Sequence, residues 1–227
     1  MGIEHPYEQL AMRFGATLKV PARGPRYNVA PTDPVPVVVQ HAGERGLIEL
    51  RWGLVPSFAR DVSVGARFIN ARAETVETQP AFRDAFAARR CIVPATRFYE
   101  WERVAGARLP YSILRGDGFP LSFAGLWASW RDRRTGERVL SCSVITTEPN
   151  TVLRPIHDRM PAVLPDDTVD VWLDSEFHDL AALKSMLRPC ADDELYAYRV
   201  PTLVNNVRND GPELVEPLGV AGGKRDS

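Results

Sequence analysis

The 227-residue sequence predicts an α+β fold, a single domain of mainly antiparallel sheet with few helices. Three observations lead there. Strand-length apolar runs outnumber helical patterns. Turn residues such as Gly116-Asp117-Gly118 and Arg134-Thr135-Gly136-Glu137 separate those runs. The strand–helix alternation that marks a parallel sheet is missing.

Taken in order, Pro6 suits a first helical turn, Tyr7, Leu10, Ala11 and Phe14 form one apolar stripe, and Gly15 suits a stop. Residues 17–34, rich in Pro and Gly, read as a loop ending in RYNVAPTDP. Strands are expected at 34–40, 47–53 and 68–74, then a helix at 80–90. Further strands are expected at 91–102, 110–115, 121–130 and 138–147, with helical stretches at 167–174 and 177–189. A last strand at 194–200 leads into VNNVRNDGPELVEP, and residues 219–227 read as a disordered tail.

Composition narrows the classes. A chain with 44% hydrophobic residues is long enough for one substantial core. No apolar run approaches membrane-span length and the N-terminus lacks a signal-peptide core, so a cytoplasmic protein without membrane partners is expected. Cys91, Cys142 and Cys190 are scattered, with no CxxC pair, which argues against a disulfide framework and against structural zinc. No metal and no cofactor are expected. The net charge of −1 does not announce a nucleic-acid partner, so any anion-binding surface must be local. Only three of the 28 basic residues are lysines; a GC-rich coding sequence accounts for that bias.

Four polar stations stand in apolar surroundings. In FINARAET, alternation places Asn70, Arg72 and Glu74 on one strand face and the small Ala71 and Ala73 on the other. In RFYEWE, Glu100 lies between Tyr99 and Trp101. As a desolvated carboxylate it is a candidate acid or base; on its own it reads as a carboxylate satisfied by an arginine at a sheet edge. His157 in RPIHDRMP is bracketed by Pro155 and Pro161 in a loop, where a hydrogen-bonded structural histidine is the plain alternative to a catalytic one. In RWGLVPSFA, Trp52, Pro56 and Phe58 beside Arg51 and Arg60 resemble a platform for nucleobases, with a core tryptophan as the plain alternative.

Taken together, the segments RYNVAPT (26–32), RWGLVPSFA (51–59), FINARAET (68–75), CIVPATRFYEW (91–101), FAGLW (123–127), VITTEPN (144–150), IHDRMP (156–161) and VNNVRNDGPELVEP (204–217) resemble the SOS response-associated peptidase (SRAP) family of abasic-site processing proteins. They occur in order and span most of the chain. The resemblance implies a compact, barrel-like β fold over residues 1–218 and a groove for single-stranded DNA containing abasic sites. It also implies covalent capture of the ring-opened sugar aldehyde by a terminal cysteine, whose amine forms an imine and whose thiol closes a thiazolidine. Self-processing, peptidase-type hydrolysis goes with it. Carried over by position, Asn70 orients the terminal residue, Glu100 shuttles protons, and His157 acts as acid and base in ring opening and closing. Arg72 and Arg159 hold phosphates, Trp52 packs on a base or sugar near the lesion, and Asn28 and Thr147 join the DNA contacts. A monomer suffices for one groove.

One departure stands out. Family members begin Met-Cys-Gly-Arg, whereas this sequence begins Met1-Gly2-Ile3-Glu4 and its first helix starts several residues sooner. At about 3.3 Å per strand residue, the terminus is expected to stop roughly a nanometre short of the pocket, with the nucleophile-bearing strand missing. With Asn70, Glu100 and His157 intact, a true start upstream at a Met-Cys is expected. The alternatives are a non-covalent binder of single-stranded or damaged DNA, and residual imine chemistry at Gly2. An unrelated small-molecule hydrolase using Glu100 and His157 is a third reading.

Overall fold

A computed structural model describes residues 1–218; the tail expected from residue 219 lies outside the described residues. The chain opens with α1 (Tyr7–Arg13), β1 (Thr17–Leu18), β2 (Pro34–His41) and β3 (Glu44–Trp52). A 3-10 turn at Val62–Arg67 precedes β4 (Asn70–Arg72), α2 (Arg83–Ala88), β5 (Arg90–Ala95) and β6 (Arg97–Val104). Then follow β7 (Ala107–Arg115), β8 (Leu121–Arg131), β9 (Arg138–Thr147), β10 (Met160–Pro161), α3 (Val169–Leu173), α4 (Leu180–Ser185) and β11 (Leu195–Arg199).

Strands β3, β2, β5, β8 and β9 pair in that order, and β9 pairs back onto β3, closing a five-stranded barrel. The first four pairings are antiparallel; the closing one is parallel, with Arg51 opposite Ser141 and Trp52 opposite Cys142. β1, β4 and β10 add onto this barrel, and β6, β7 and β11 form a separate antiparallel sheet. The α+β reading and the antiparallel bias hold; the parallel pairings of β1, β3 and β4 were not visible in local pattern.

The element chemistry explains the closure. β2 carries Val35, Val37, Val38 and Val39, all buried, and β5 is buried at every position, so apolar side chains cover both faces. The stretch expected as one strand over 91–102 breaks at Thr96, where the chain leaves the barrel and enters the second sheet. The strand expected over 68–74 shortens to β4, because only Asn70–Arg72 pairs with β9. Arg90, buried at the start of β5, donates to the carbonyls of Phe86, Ala87, Trp172, Asp174 and Phe177, tying α2 and α3 to the barrel wall.

The RWG turn shows why a glycine follows Trp52. Gly53 has φ +133, a Cβ there would lie 2.8 Å from the Gly65 carbonyl oxygen, and its amide donates to Cys142 O at the closing pair. Gly53→Ala is therefore expected to lower the unfolding free energy by about 2 kcal/mol, measured by urea denaturation. An unchanged midpoint would show that the turn tolerates a side chain.

Candidate active site

A cavity of about 330 Å³ opens where β4, β6, β9, the 156–161 loop and the chain terminus meet, lined among others by Met1, Trp52, Asn70, Arg72, Glu100, Thr146, His157 and Arg159. β9 supplies the floor through Val144 and Thr146. β4 runs parallel beside it, Asn70 opposite Val144 and Arg72 opposite Thr146, while the buried Ala71 and Ala73 let the two backbones approach. Glu100 and Phe98 come from the inner face of β6, and Phe98 meets Phe123 edge-on at 5.8 Å. The other face of β6 carries Tyr99 and Trp101 into a small cluster with Val200 and Val204.

The chain terminus overturns one expectation. Far from stopping a nanometre away, Met1 is 8% exposed and lines the cavity. Its α-amine donates to Val29 O at 2.9 Å, and Val29 N donates back to Met1 O. Gly2 pairs with Arg97 and Ile3 with Arg26, while the Glu4 carboxylate takes a two-pronged fork from Arg97 at 2.6 and 2.9 Å. Gly2 must lack a side chain, since a Cβ there would sit 2.8 Å from Arg97 Cγ. Helix α1 begins at Tyr7, four residues after Ile3.

The electrostatics follow from burial. Loss of water, with the Arg26 charge nearby, lowers the amine to about 5, so it is neutral at pH 7. The same loss of water pushes the Glu100 carboxyl up to about 7; His157 opposes that rise and Asp158 reinforces it. His157 Nε2 lies 3.7 Å from Glu100 Oε2. His157 Nδ1 lies 3.1 Å from both the amide nitrogen and the carbonyl oxygen of Arg159, so residue 159 holds the ring while Nε2 faces Glu100.

The residues singled out from sequence divide into two groups. Asn70, Glu100, His157, Trp52, Arg72 and Arg159 share the cavity. Trp52 donates its indole N–H to Ile69 O, presenting only ring surface. Asn28 lies outside: its amide donates to Val204 O and Asn206 O and holds the C-terminal segment. Thr147 is buried and pairs with Met160; its neighbour Thr146 is the threonine at the cavity, because successive strand side chains alternate. Sequence reasoning missed the Met1 amine and the Arg97–Glu4 fork. The pairing of Glu74 with Arg159 had a signal in the 70/72/74 alternation. Among the described residues, no group of three or more His, Cys, Asp or Glu could hold a metal ion, and no helix is long and apolar enough to cross a membrane.

Comparison with known proteins identifies the relatives of the whole chain. The family model for SOS response associated peptidase (SRAP) matches residues 2–207. The abasic site processing protein YoqW of Bacillus subtilis (strain 168) is 40% identical over 193 residues, covering 85% of this chain and 86% of that protein. The abasic site processing protein HMCES of Xenopus tropicalis is 32% identical over 225 residues, covering 86% of this chain and 66% of that one. A crystal structure of a Bacteroides thetaiotaomicron protein superposes with a TM-score of 0.85 at 27% identity, covering 95% of this chain and 97% of the other.

The terminal anchor makes a direct prediction. In protein with ¹⁵N-labelled Met1, the amine is expected to titrate near pH 5 by NMR. Glu4→Ala, which removes the carboxylate that grips Arg97, is expected to return the titration toward the ordinary 8.0. A titration near 8 in both proteins would show that the terminus is solvated.

Proposed function

The chain belongs to the SOS response associated peptidase family, and from that premise we propose that it processes abasic sites in single-stranded DNA, capturing the ring-opened sugar aldehyde on the α-amine of residue 1. The observation that carries this reading is a buried amine, held unprotonated at neutral pH, in one cavity with a raised carboxyl, an imidazole and the Asn70 amide. A neutral amine is a nucleophile where an ordinary lysine is an ammonium ion.

The amine lone pair attacks the C1′ aldehyde carbon, and a proton passes from nitrogen to the former carbonyl oxygen to give a carbinolamine. Glu100 in its acid form protonates the departing hydroxyl, water leaves, and the protonated imine returns its proton to the Glu100 carboxylate. His157, beside Glu100, takes up and returns protons across these steps and the reverse hydrolysis, which is the self-processing branch. Asn70 directs its amide at the terminal residue, Arg72 offers a cation to the DNA backbone, and the Trp52 ring faces the base or sugar beside the lesion. Self-processing here needs no second protein substrate.

Met1 sets the fate of the adduct. Its sulfur is a thioether with no S–H, so it cannot close the five-membered ring that a terminal cysteine closes. The imine stays open to hydrolysis, or to loss of the C2′ proton with departure of the 3′ phosphate. If Met1 were removed, the amine would fall on Gly2, about 3.3 Å further along the extended segment. Among the described residues no cysteine lines the cavity, which favours a second reading, a non-covalent binder of single-stranded or damaged DNA.

Three outcomes are expected from denaturing gels with an abasic oligonucleotide, on protein whose first residue is read by intact mass. Borohydride traps an adduct, whereas without reductant no heat-stable adduct survives. The trapping rate is bell-shaped in pH, because the amine is neutral above about 5 and Glu100 is protonated below about 7. Glu100→Gln and His157→Ala each slow trapping by about 10²-fold. Binding without any trapped adduct at any pH would leave the non-covalent reading.

A further inference from the structure

Resting on the proposed function, in which the residue-1 amine is the nucleophile, we propose that Asp210 is a positioning residue. A clasp between its carboxylate and the 27–28 backbone, completed by Asn28, fixes the Val29 carbonyl on which that amine is held. Asp210 lies beyond residues 2–207, the stretch that the family model matches, and 182 positions along the chain from Asn28.

The clasp is reciprocal. Asp210 Oδ1 accepts the amides of Tyr27 and Asn28, the latter at 2.9 Å. In return the Asn28 carboxamide donates to Val204 O at 3.1 Å and to Asn206 O at 3.2 Å. Two short 3-10 turns, Thr202–Asn205 and Pro212–Val215, bracket Asp210. A third tie comes from β6, where the Tyr99 hydroxyl donates to Tyr27 O at 2.6 Å and the Tyr99 ring packs with Val200 and Val204.

From the clasp the chain reaches the amine in one residue. Val29 is buried, its carbonyl accepts the Met1 amine at 2.9 Å, and its amide donates to Met1 O. Peptide units are planar, so a rotation at residues 27–28 carries the next carbonyl with it. Holding two successive amides on one oxygen blocks that rotation.

The charge of Asp210 and its grip act on the amine in opposite directions, which makes them separable. Burial lowers the amine most, Arg26 adds to that, and Asp33, Glu100 and Asp210 oppose it. Removing the Asp210 charge alone therefore lowers the amine further. Releasing the clasp readmits water and raises it toward the ordinary 8.0. Asp210→Asn loses the charge and keeps an oxygen for both amides; Asp210→Ala loses both.

Two measurements on the full chain test this, with residue 1 read by intact mass and folding checked by urea denaturation. The first is the ¹⁵N titration of the Met1 amine without DNA. The midpoint is expected near 5 in wild type and at or slightly below that in Asp210→Asn. In Asp210→Ala the amine is expected to hold its proton at least tenfold more tightly than in wild type. A smaller rise in Asp210→Ala, or a fall, overturns the positioning role. A rise in Asp210→Asn as large as in Asp210→Ala overturns it too, because the clasp oxygen is present in one and absent in the other. If Asp210→Ala fails to fold, Asn28→Ala, which opens the other half of the clasp, is held to the same tenfold rise. The second measurement is the pH dependence of borohydride trapping on an abasic oligonucleotide. In Asp210→Ala the acid limb moves up with the amine and the rate at pH 7 falls, by about tenfold if the amine returns fully to 8.0; Asp210→Asn matches wild type. If wild type traps no adduct, or the acid limb stays near 5 while the amine has moved, the amine is not the nucleophile and the proposed function fails, while the titration still decides the role of Asp210.

Discussion

The site depends on the withdrawal of residue 1 from water. Three extended residues lie between the Arg26–Val29 segment and the start of β6, bonded on both sides, with the Glu4–Arg97 fork closing the end. Burial disfavours the charged form of any group, and here it acts on two groups of opposite type. The amine loses its proton more readily and the Glu100 carboxyl keeps its proton longer. One physical cause therefore favours the neutral form of both an amine and a carboxyl that line one cavity.

β9 is the element that brings the chemistry together. It pairs with β8 and β3 in the barrel and also carries β4 and β10 along its length. Through these pairings it positions Trp52, Asn70, Arg72 and the loop bearing His157 and Arg159, residues more than a hundred positions apart in the chain. Register is rigid because a one-residue slip would turn Asn70 and Arg72 inward and Ala71 outward. The arginines around the site divide by their partners. Arg97 is bound to Glu4 and Arg159 to Glu74, whereas Arg72 lines the cavity with no ion-pair partner among the described residues.

Much of the fold was legible. The valines of β2 and the long apolar runs of β8 and β9 announce strands because a strand buried on both faces reads as a continuous stretch of β-branched and aromatic residues. The shared face of Asn70, Arg72 and Glu74 was legible because successive strand side chains alternate. Thr147 was misplaced by one position because a pair of adjacent threonines carries no mark of which one faces the cavity. Asn28 was misplaced because an asparagine that serves a ligand and one that ties down a neighbouring segment look alike in sequence.

The sequence by itself determined which stretches become strands and which polar residues stand out from apolar surroundings, since both follow from local alternation and the cost of burying polar groups. Only the tertiary structure decided where the terminus lies, which carboxylate each arginine meets, and which groups lose their water. Those outcomes turn on contacts between distant segments: Glu4 with Arg97, Glu74 with Arg159, Met1 with Val29. Counting residues along the chain measures reach but not direction, so it put the amine a nanometre away from the cavity it lines.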